Sequence, residues 1–190
     1  MSEERGRAPG PADFALACVR CYVAGRPAPP PPEEALYERR AACFVTLKKQ
    51  GELRGCIGTL EPAEGSLGDE IVRNAYSSAM RDPRFPPVTA DECEAISCSV
   101  DVLSPSEACE VADLDPERYG VIVEAGPRRG VLLPALIGVD TVGAQVGIAL
   151  EKAGIGADVP FDVRRFGVRR YRQGDSAAAE PGSPDDEADG

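Results

Sequence analysis

The clearest hydrophobic pattern in the chain is the alternation in AISCSVDVLSP, where every second residue from Ile96 to Val102 is apolar or Cys. A period of two predicts a β-strand with one buried face. The segment YGVIVEAGPRRGVLLP predicts a hairpin that turns at AGPRRG, because two alternating runs flank residues typical of turns. The segment FDVRRFGVRRYR predicts the last strand of the chain.

A further hairpin is predicted for CFVTLKK and ELRGCIGT, which are separated by Gln50 and Gly51. If these two residues form a two-residue turn, the face with Cys43, Val45 and Leu47 also carries Arg54 and Cys56. A shift of one residue in the register would move every side chain to the other face.

Five segments have helical spacing of apolar residues or helix-capping patterns. Residues 11–24 predict the first helix, and the stretch GRPAPPPPEE after it predicts a stiff, exposed linker because consecutive prolines favour polyproline II. A short helix is expected from Ala35 to Arg40. Ser66 and Asp69 predict a helix that runs to Met80, and its inner face is expected to contain Leu67, Ile71, Ala75 and Ala79.

The remaining helical signals lie after this helix. Thr89 and Glu92 form a second capping-box pattern before a short helical turn. Asp140 is expected to cap a helix that ends at Gly154. The resulting order is helix, hairpin, helix, strand, hairpin, helix, strand. Adjacent hairpins predict an α+β fold with a mostly antiparallel sheet and flanking helices.

Composition restricts the partners and the chemistry. The chain has 190 residues and a net charge of −11, and without the six acidic residues of GDSAAAEPGSPDDEADG the rest carries about −5. An acidic body argues against nucleic acid and anionic membranes as partners. The arginines of RRFGVRRYR are therefore interpreted as the charged face of an edge strand. We expect disordered ends at residues 1–10 and 173–190.

The chain contains no histidine, which excludes Ser-His-Asp and Cys-His catalysis and imidazole zinc ligands. No apolar run is long enough for a transmembrane helix, and the N-terminal residues lack a signal-peptide pattern. These features predict a cytoplasmic protein with seven reduced cysteines. Cys18 and Cys21 in CVRC supply two of the four ligands of a zinc site, so core packing is favoured for them.

The candidate site is Cys56, which lies between Gly55 and Gly58 in LRGCIG. Arg54, two residues before it, is expected to raise its thiolate fraction if both lie on one strand face. The alternative is that the glycines form a turn or bulge and Cys56 fills a small gap. In the loop RDPRF, Arg84 is a candidate clamp for an anion, or one half of a local ion pair with Asp82.

The segments FVTLKKQGELRGCIGTLEP and AMRDPRFPPVTADECEAISCSVDVLSP resemble the AMMECR family. The blocks GVIVEAGPRRGVLLP and GVDTVGAQVGIALEKAGI are similar to its bacterial and archaeal branch, AmmeMemoRadiSam system protein A. The resemblance implies an AMMECR-like domain at residues 11–172 with a large and a smaller lobe. It also implies that LRGCIG is the functional centre.

The name of that branch implies partners: a Memo-like protein, similar to non-haem iron dioxygenases, and a radical-SAM protein. No cofactor is expected in this chain itself. Two hypotheses stay open. In one, the protein is a component of this system and docks through Arg84, Phe85, Gly55 and Gly58. In the other, it is a small enzyme in which Cys56 attacks an anionic small molecule, assisted by Arg54, with Asp82 handling the proton.

Overall fold

The computed structural model describes residues 8–156 and 158–177, and these form two compact units. The first unit contains the described residues up to Leu103 and from Arg169 to the last described one. The second unit is Ser104–Val168. The last strand of the chain, β7 (Asp162–Arg172), contributes residues to both units.

The first unit is an antiparallel sheet with helices packed on it. Strand β1 (Cys43–Lys49) lies between β2 (Glu52–Gly58) and β3 (Ile96–Leu103), and the end of β7 follows β3. Helix α3 (Leu67–Met80) packs on β1 and β2, and helix α1 (Pro11–Val23) packs on α3 and β3. Helix α2, a single turn at Ala35–Glu38, contacts α3.

The predicted apolar faces of this unit are buried. The helix α3 begins at its predicted cap, because the Ser66 side chain accepts the Asp69 N–H at 3.1 Å. The buried residues that were predicted are Leu67, Ile71, Ala75 and Ala79 on α3 and Ile96, Cys98, Val100 and Val102 on β3. The capping box of Thr89 and Glu92 is also present, at the start of a 3-10 turn at Ala90–Ala95.

The β1–β2 hairpin has the predicted turn but a different register beyond it. Gln50 and Gly51 have φ of 53° and 87°, so both lie in the left-handed region that a type I′ turn requires. Lys48 then pairs with Leu53, whereas Leu47 pairs with Gly55. Arg54 is therefore the extra residue of a β-bulge.

The bulge makes the predicted face assignment wrong. It pairs Cys56 with Thr46 and Ile57 with Val45, and it leaves Gly55 opposite Leu47. Because directly opposite residues point to the same side, Cys56 lies on the face of Thr46. The Cys56 side chain therefore does not lie on the buried face that contains Cys43, Val45 and Leu47.

The second unit has its own antiparallel sheet and helix. Strand β5 (Tyr119–Ala125) pairs with β6 (Arg128–Leu132) and with β7, and the two-residue strand β4 (Glu107–Ala108) also pairs with β7. Helix α4 (Val142–Ala153) packs on β5 and β6. A second apolar cluster contains buried residues of these elements: Val121, Val123, Leu132, Val146, Ala149, Leu150 and Val163.

Two predictions for this part of the chain are wrong. The cap of α4 is Thr141 and not Asp140, because the Thr141 hydroxyl accepts the Ala144 N–H at 3.2 Å. The strand β7 is not an edge strand, since β4 and β5 both pair with it. The helix does end at Gly154, which has a φ of 64°.

The ends of the chain are described in part. Tyr37 donates its hydroxyl to the Pro9 carbonyl at 2.5 Å, and Gly174 donates its N–H to Asp13 at 3.0 Å. Most of the predicted disordered segments, residues 1–7 and 178–190, lies outside the described residues. None of the described helices has the length and hydropathy needed to cross a membrane.

Candidate functional site

The backbone of Cys56 is held from one side by the DPRF motif. Its N–H donates to Asp82 Oδ2 at 2.8 Å, and its carbonyl accepts from Arg84 Nη2 at 3.0 Å. One peptide donor and one peptide acceptor are therefore satisfied by two side chains, much as a neighbouring strand would satisfy them. This contact joins LRGCIG and DPRF into one structure.

Asp82 and Arg84 form an ion pair that is closed on itself. The Arg84 Nε and Nη2 atoms donate to the two Asp82 carboxylate oxygens at 2.9 and 2.7 Å, and the Arg84 backbone N–H donates at 3.1 Å. The hydrogen bonds from Arg84 hold the pKa of the buried Asp82 carboxyl well below its usual range. An anion with this many donors fits a positioning role better than the proton transfer predicted for it.

Arg54 is bound to another carboxylate and not to the thiol. Its Nε and Nη2 atoms donate to Glu92 at 3.0 and 2.9 Å, and Lys49 binds the same carboxylate at 3.0 Å. The hydrogen bonds from Arg54, and after them the one from Lys49, lower the pKa of the Glu92 carboxyl. The bulge places Leu53, rather than Arg54, on the face of Cys56. The predicted activation of Cys56 by Arg54 therefore has no geometric support.

Phe85 lies between the two arginines of the motifs. The Arg54 and Arg84 guanidinium carbons are 5.9 and 5.5 Å from its ring centroid, within the range of cation–π contact. The Arg84 side chain is 52% exposed and the Arg54 side chain 11% exposed. The outward part of this cluster is thus the Arg84 guanidinium beside a half-buried aromatic ring.

The Cys56 thiol is half-buried on the other side of the strand from the α3 contacts. Its Sγ atom lies 3.2 Å from the Thr46 hydroxyl, and Thr46 pairs in turn with Ser99 of β3. Arg170 is near this face, where it binds the buried Asp101 through two contacts of 2.7 Å. The pKa of Arg170 is raised, mainly by Asp101 and to a smaller extent by Cys56.

The two glycines that flank Cys56 allow the chain itself to approach. A Cβ atom at Gly55 would lie 2.2 Å from the Ser78 carbonyl oxygen of α3. A Cβ atom at Gly58 would lie 2.4 Å from the Phe44 ring and 2.5 Å from the Cys43 carbonyl oxygen. Both positions are required for internal packing, so their predicted role in binding a ligand or partner gains no support from the geometry.

A row of buried polar side chains on α3 was not foreseen from the sequence. Glu70, Asn74 and Ser78 are spaced by four residues and are at most 2% exposed, and Asp82 continues the same spacing after the helix. Ser78 accepts the Ile57 N–H and donates to the Val45 carbonyl, both at 2.8 Å. The signal was the spacing itself, which places these residues beside the apolar stripe.

The remaining polar contacts of this row hold the segment after β2. Glu70 accepts the hydroxyl of Thr59 and the N–H groups of Ala63 and Glu64, the latter two at 2.9 Å. Asn74 donates to the Cys43 carbonyl at 3.0 Å. Within the LRGCIG strand itself, polar side chains bind the backbone of Cys56 and Ile57.

No cluster of three potential metal ligands occurs among the described residues. Cys18 is fully buried, and burial raises its pKa to about 12, whereas Cys21 is half-buried. This burial agrees with the packing interpretation of CVRC.

Comparison with known proteins connects this geometry to a family. The AMMECR1 family model matches residues 12–174. A protein from Thermotoga maritima is 53% identical over 144 residues, which are 74% of this chain and 82% of that protein. A crystal structure of an uncharacterized protein from Pyrococcus horikoshii matches this chain with a TM-score of 0.75 and 28% sequence identity. The match covers 84% of this chain and 88% of the Pyrococcus horikoshii chain.

A second relative has a different length. A protein from Clostridium acetobutylicum is 45% identical over 140 residues, which are 74% of this chain but only 30% of that protein. The matched region is thus less than a third of a longer chain in that organism. With a family model that covers most of its residues, the chain belongs to the AMMECR1 family.

Proposed function

We propose that this AMMECR-domain protein acts as a component of an AmmeMemoRadiSam system. In this proposal it docks onto a Memo-like protein or a radical-SAM protein through the surface around LRGCIG. The observation that carries the proposal is the double contact of Asp82 and Arg84 with the Cys56 backbone. It fixes the two motifs as one rigid surface.

The electrostatics of the cluster support docking rather than acid–base catalysis. The carboxylates nearest to the motif, Asp82 and Glu92, are each bound to basic side chains, and the pKa of each is lowered. A general base needs a pKa nearer the working pH and a free lone pair. The exposed Arg84 and the half-buried Phe85 are instead typical of residues that anchor protein interfaces.

The longer relative also supports a role beside another protein. In the Clostridium acetobutylicum protein the matched region is 30% of the chain, so the AMMECR region is covalently joined there to a larger portion. Such a fusion keeps two portions at high effective concentration, which benefits portions that work together.

The experiment is a binding titration with the Memo-like and radical-SAM proteins encoded in the same genome. Leu53 is 43% exposed on the Cys56 face and takes no part in the Asp82–Arg84 pair, so Leu53→Glu tests the surface without disturbing the fold. Phe85→Ala tests the aromatic anchor. Val111→Glu is the matched control, because Val111 is 40% exposed in the second unit.

The proposal expects that Leu53→Glu and Phe85→Ala each weaken binding by about tenfold or more, whereas Val111→Glu does not change it. Cys56→Ser should retain binding, since docking does not need a nucleophile. Full binding by both surface variants would contradict the proposal.

A second candidate is a small enzyme in which Cys56 is the nucleophile for an anionic small molecule. It is favoured by one observation: the half-buried Sγ atom of Cys56 lies 3.2 Å from the Thr46 hydroxyl. The rate of Cys56 alkylation between about pH 6 and 10 tests it. Reaction at pH 7 much faster than that of free cysteine supports this role, and slower reaction excludes it.

A further inference from the structure

The proline-rich segment after α1 is not a free linker, because it packs on the first unit with a period of three. Pro27, Pro30 and Glu33 are exposed, whereas Ala28 and Pro31 are half-buried. Ala28 contacts the apolar core. A Cβ atom added at Gly68 of α3 would lie 2.5 Å from Pro31, so the ring sits directly on the helix backbone.

This period is that of polyproline II, which has three residues per turn. Each residue before a proline is also biased to this extended conformation. One of the three faces of the segment packs inward. The second face, with Pro27 and Pro30, points outward. Pro30 also lines an adjacent groove, together with Pro29, Pro31, Pro32 and Glu33.

The groove beside the segment is mainly apolar and has an acidic rim. Its lining includes Phe14 and Ala17 of α1 together with Pro29 and Pro32. Asp13 and Glu33 lie at the same groove. At the other end of the segment, Arg26 is exposed. The surface thus has a basic end, a row of prolines and an acidic end.

We propose that this segment is a docking site for a folded protein domain with an aromatic-lined groove of the kind that recognises polyproline II. Aromatic side chains of such a domain pack between prolines three residues apart, and the ligand loses little conformational entropy because its backbone is already extended. Charge complementarity sets the orientation: an acidic side chain of the partner faces Arg26, and a basic one faces Asp13 and Glu33.

No aromatic side chain of the described residues is exposed, and the accessible rings, such as Tyr22, Tyr76 and Phe85, are half-buried. The large apolar side chains exposed among the described residues are Leu53, Val111, Leu136 and Ile137, and all of them are aliphatic. The chain also has no tryptophan. The proposal commits to a different protein as the partner, and self-association is an outcome that would overturn it. This surface is separate from the LRGCIG surface.

The test is isothermal titration of the full chain with two probes, an SH3 domain and a WW domain. Saturable binding to one of them is expected. The double substitution Pro27→Ala with Pro30→Ala removes two exposed rings and should weaken binding by about tenfold or more. Arg26→Glu leaves the prolines intact and should also weaken it. Pro105→Ala, at an exposed proline of the second unit, should have no effect.

Three outcomes would overturn the proposal. One is the absence of binding to both probes at about 1 mM. Another is equal binding by the wild type and the double proline variant. The third is self-association of the wild type, seen by sedimentation, that the double variant abolishes. Circular dichroism of each variant establishes that it is folded. The Leu53→Glu and Phe85→Ala variants should bind the probes normally, so failure here is distinct from failure of the proposed function.

Discussion

The hairpins β1–β2 in the first unit and β5–β6 in the second are alike at one position and different elsewhere. In each, the second strand has a glycine beneath the backbone of a helix. A Cβ atom at Gly55 would lie 2.2 Å from the Ser78 carbonyl oxygen, and one at Gly130 would lie 1.9 Å from the Ala149 carbonyl oxygen. Both hairpins therefore use a glycine to bring a helix onto the sheet.

The two hairpins differ in what fastens the helix. Helix α4 packs on β5–β6 mainly through Val146, Ala149 and Leu150, with Gln145 donating to the Tyr119 carbonyl at 2.7 Å. Helix α3 adds a row of polar side chains that bind backbone atoms of β1 and β2. The β5–β6 pairing is regular, whereas β1–β2 has a bulge at Arg54. Side-chain hydrogen bonds thus hold individual backbone groups of the bulged strand β2. The LRGCIG motif lies on that strand.

The largest expected effect is on the Asp82 contact. Asp82→Ala removes the acceptor of the Cys56 N–H and leaves Arg84 unpaired, so the free energy of unfolding should fall by about 3 kcal/mol. Glu107→Ala, which breaks the exposed Arg165–Glu107 pair of the second unit, should cost less than about 1 kcal/mol. Urea denaturation measures both. Equal costs would show that the polar fastening adds no stability.

The shared feature of the hairpins is tested next. Gly55→Ala and Gly130→Ala each force a methyl group against a helix carbonyl and should each cost about 2 kcal/mol. Gly65→Ala is the control, because no atom lies within 4 Å of its added Cβ. A large loss of stability at only one of the two glycines would show that Gly55 and Gly130 do not have the same role.

The Ser78 contact is expected to contribute less to the free energy of unfolding than the Asp82 contact. Ser78→Ala removes the acceptor of the Ile57 N–H and should lower the free energy of unfolding by about 1.5 kcal/mol. Ser77→Ala is the matched control, since the Ser77 hydroxyl donates within its own helix, to the Arg73 carbonyl at 3.0 Å. Thermal or urea denaturation of the pair measures the difference. An equal loss of unfolding free energy at both serines would show that the Ser78 contacts with β1 and β2 do not stabilise the fold.

The smallest effect is a pH dependence. Hydrogen bonds from Arg84 lower the pKa of Asp82 in the folded state, so the unfolded state takes up protons first as the pH falls. The stabilisation is therefore present above a pH of about 4 and is lost below it. The stability gap between wild type and Asp82→Ala should shrink by about 1 kcal/mol from pH 7 to pH 3. A stability difference between wild type and Asp82→Ala that does not change with pH would contradict the lowered pKa of Asp82.

The sequence predicted the fold class, most element boundaries and the buried apolar faces, because these depend on periodicity and capping. The glycines of LRGCIG indicated a turn or bulge as an alternative. They did not indicate that Arg54 is the extra residue, because its position depends on the pairing with β1. The predicted face of Cys56 was therefore wrong. The predicted effect of Arg54 on the Cys56 thiol stays a prediction without geometric support. The family resemblance grouped LRGCIG and DPRF as one candidate surface. Their contact through the Cys56 backbone depends on where helix α3 ends, which the motifs do not specify.

The row Glu70, Asn74, Ser78 and Asp82 shows why buried polar contacts are harder to predict. Each residue is polar and is usually exposed on a helix. Their burial depends on backbone groups of β1 and β2 that become close only in the folded chain.

The most direct test of the account is amide hydrogen exchange at Cys56, measured by NMR in the wild type and in Asp82→Ala. The Gly130 amide, in the hairpin of the second unit, is the reference for opening that does not involve the first unit. The account predicts slow exchange at Cys56 in the wild type and exchange about tenfold faster or more in the variant, with Gly130 nearly unchanged. An unchanged Cys56 rate in Asp82→Ala would contradict the claim that the DPRF motif holds the LRGCIG strand.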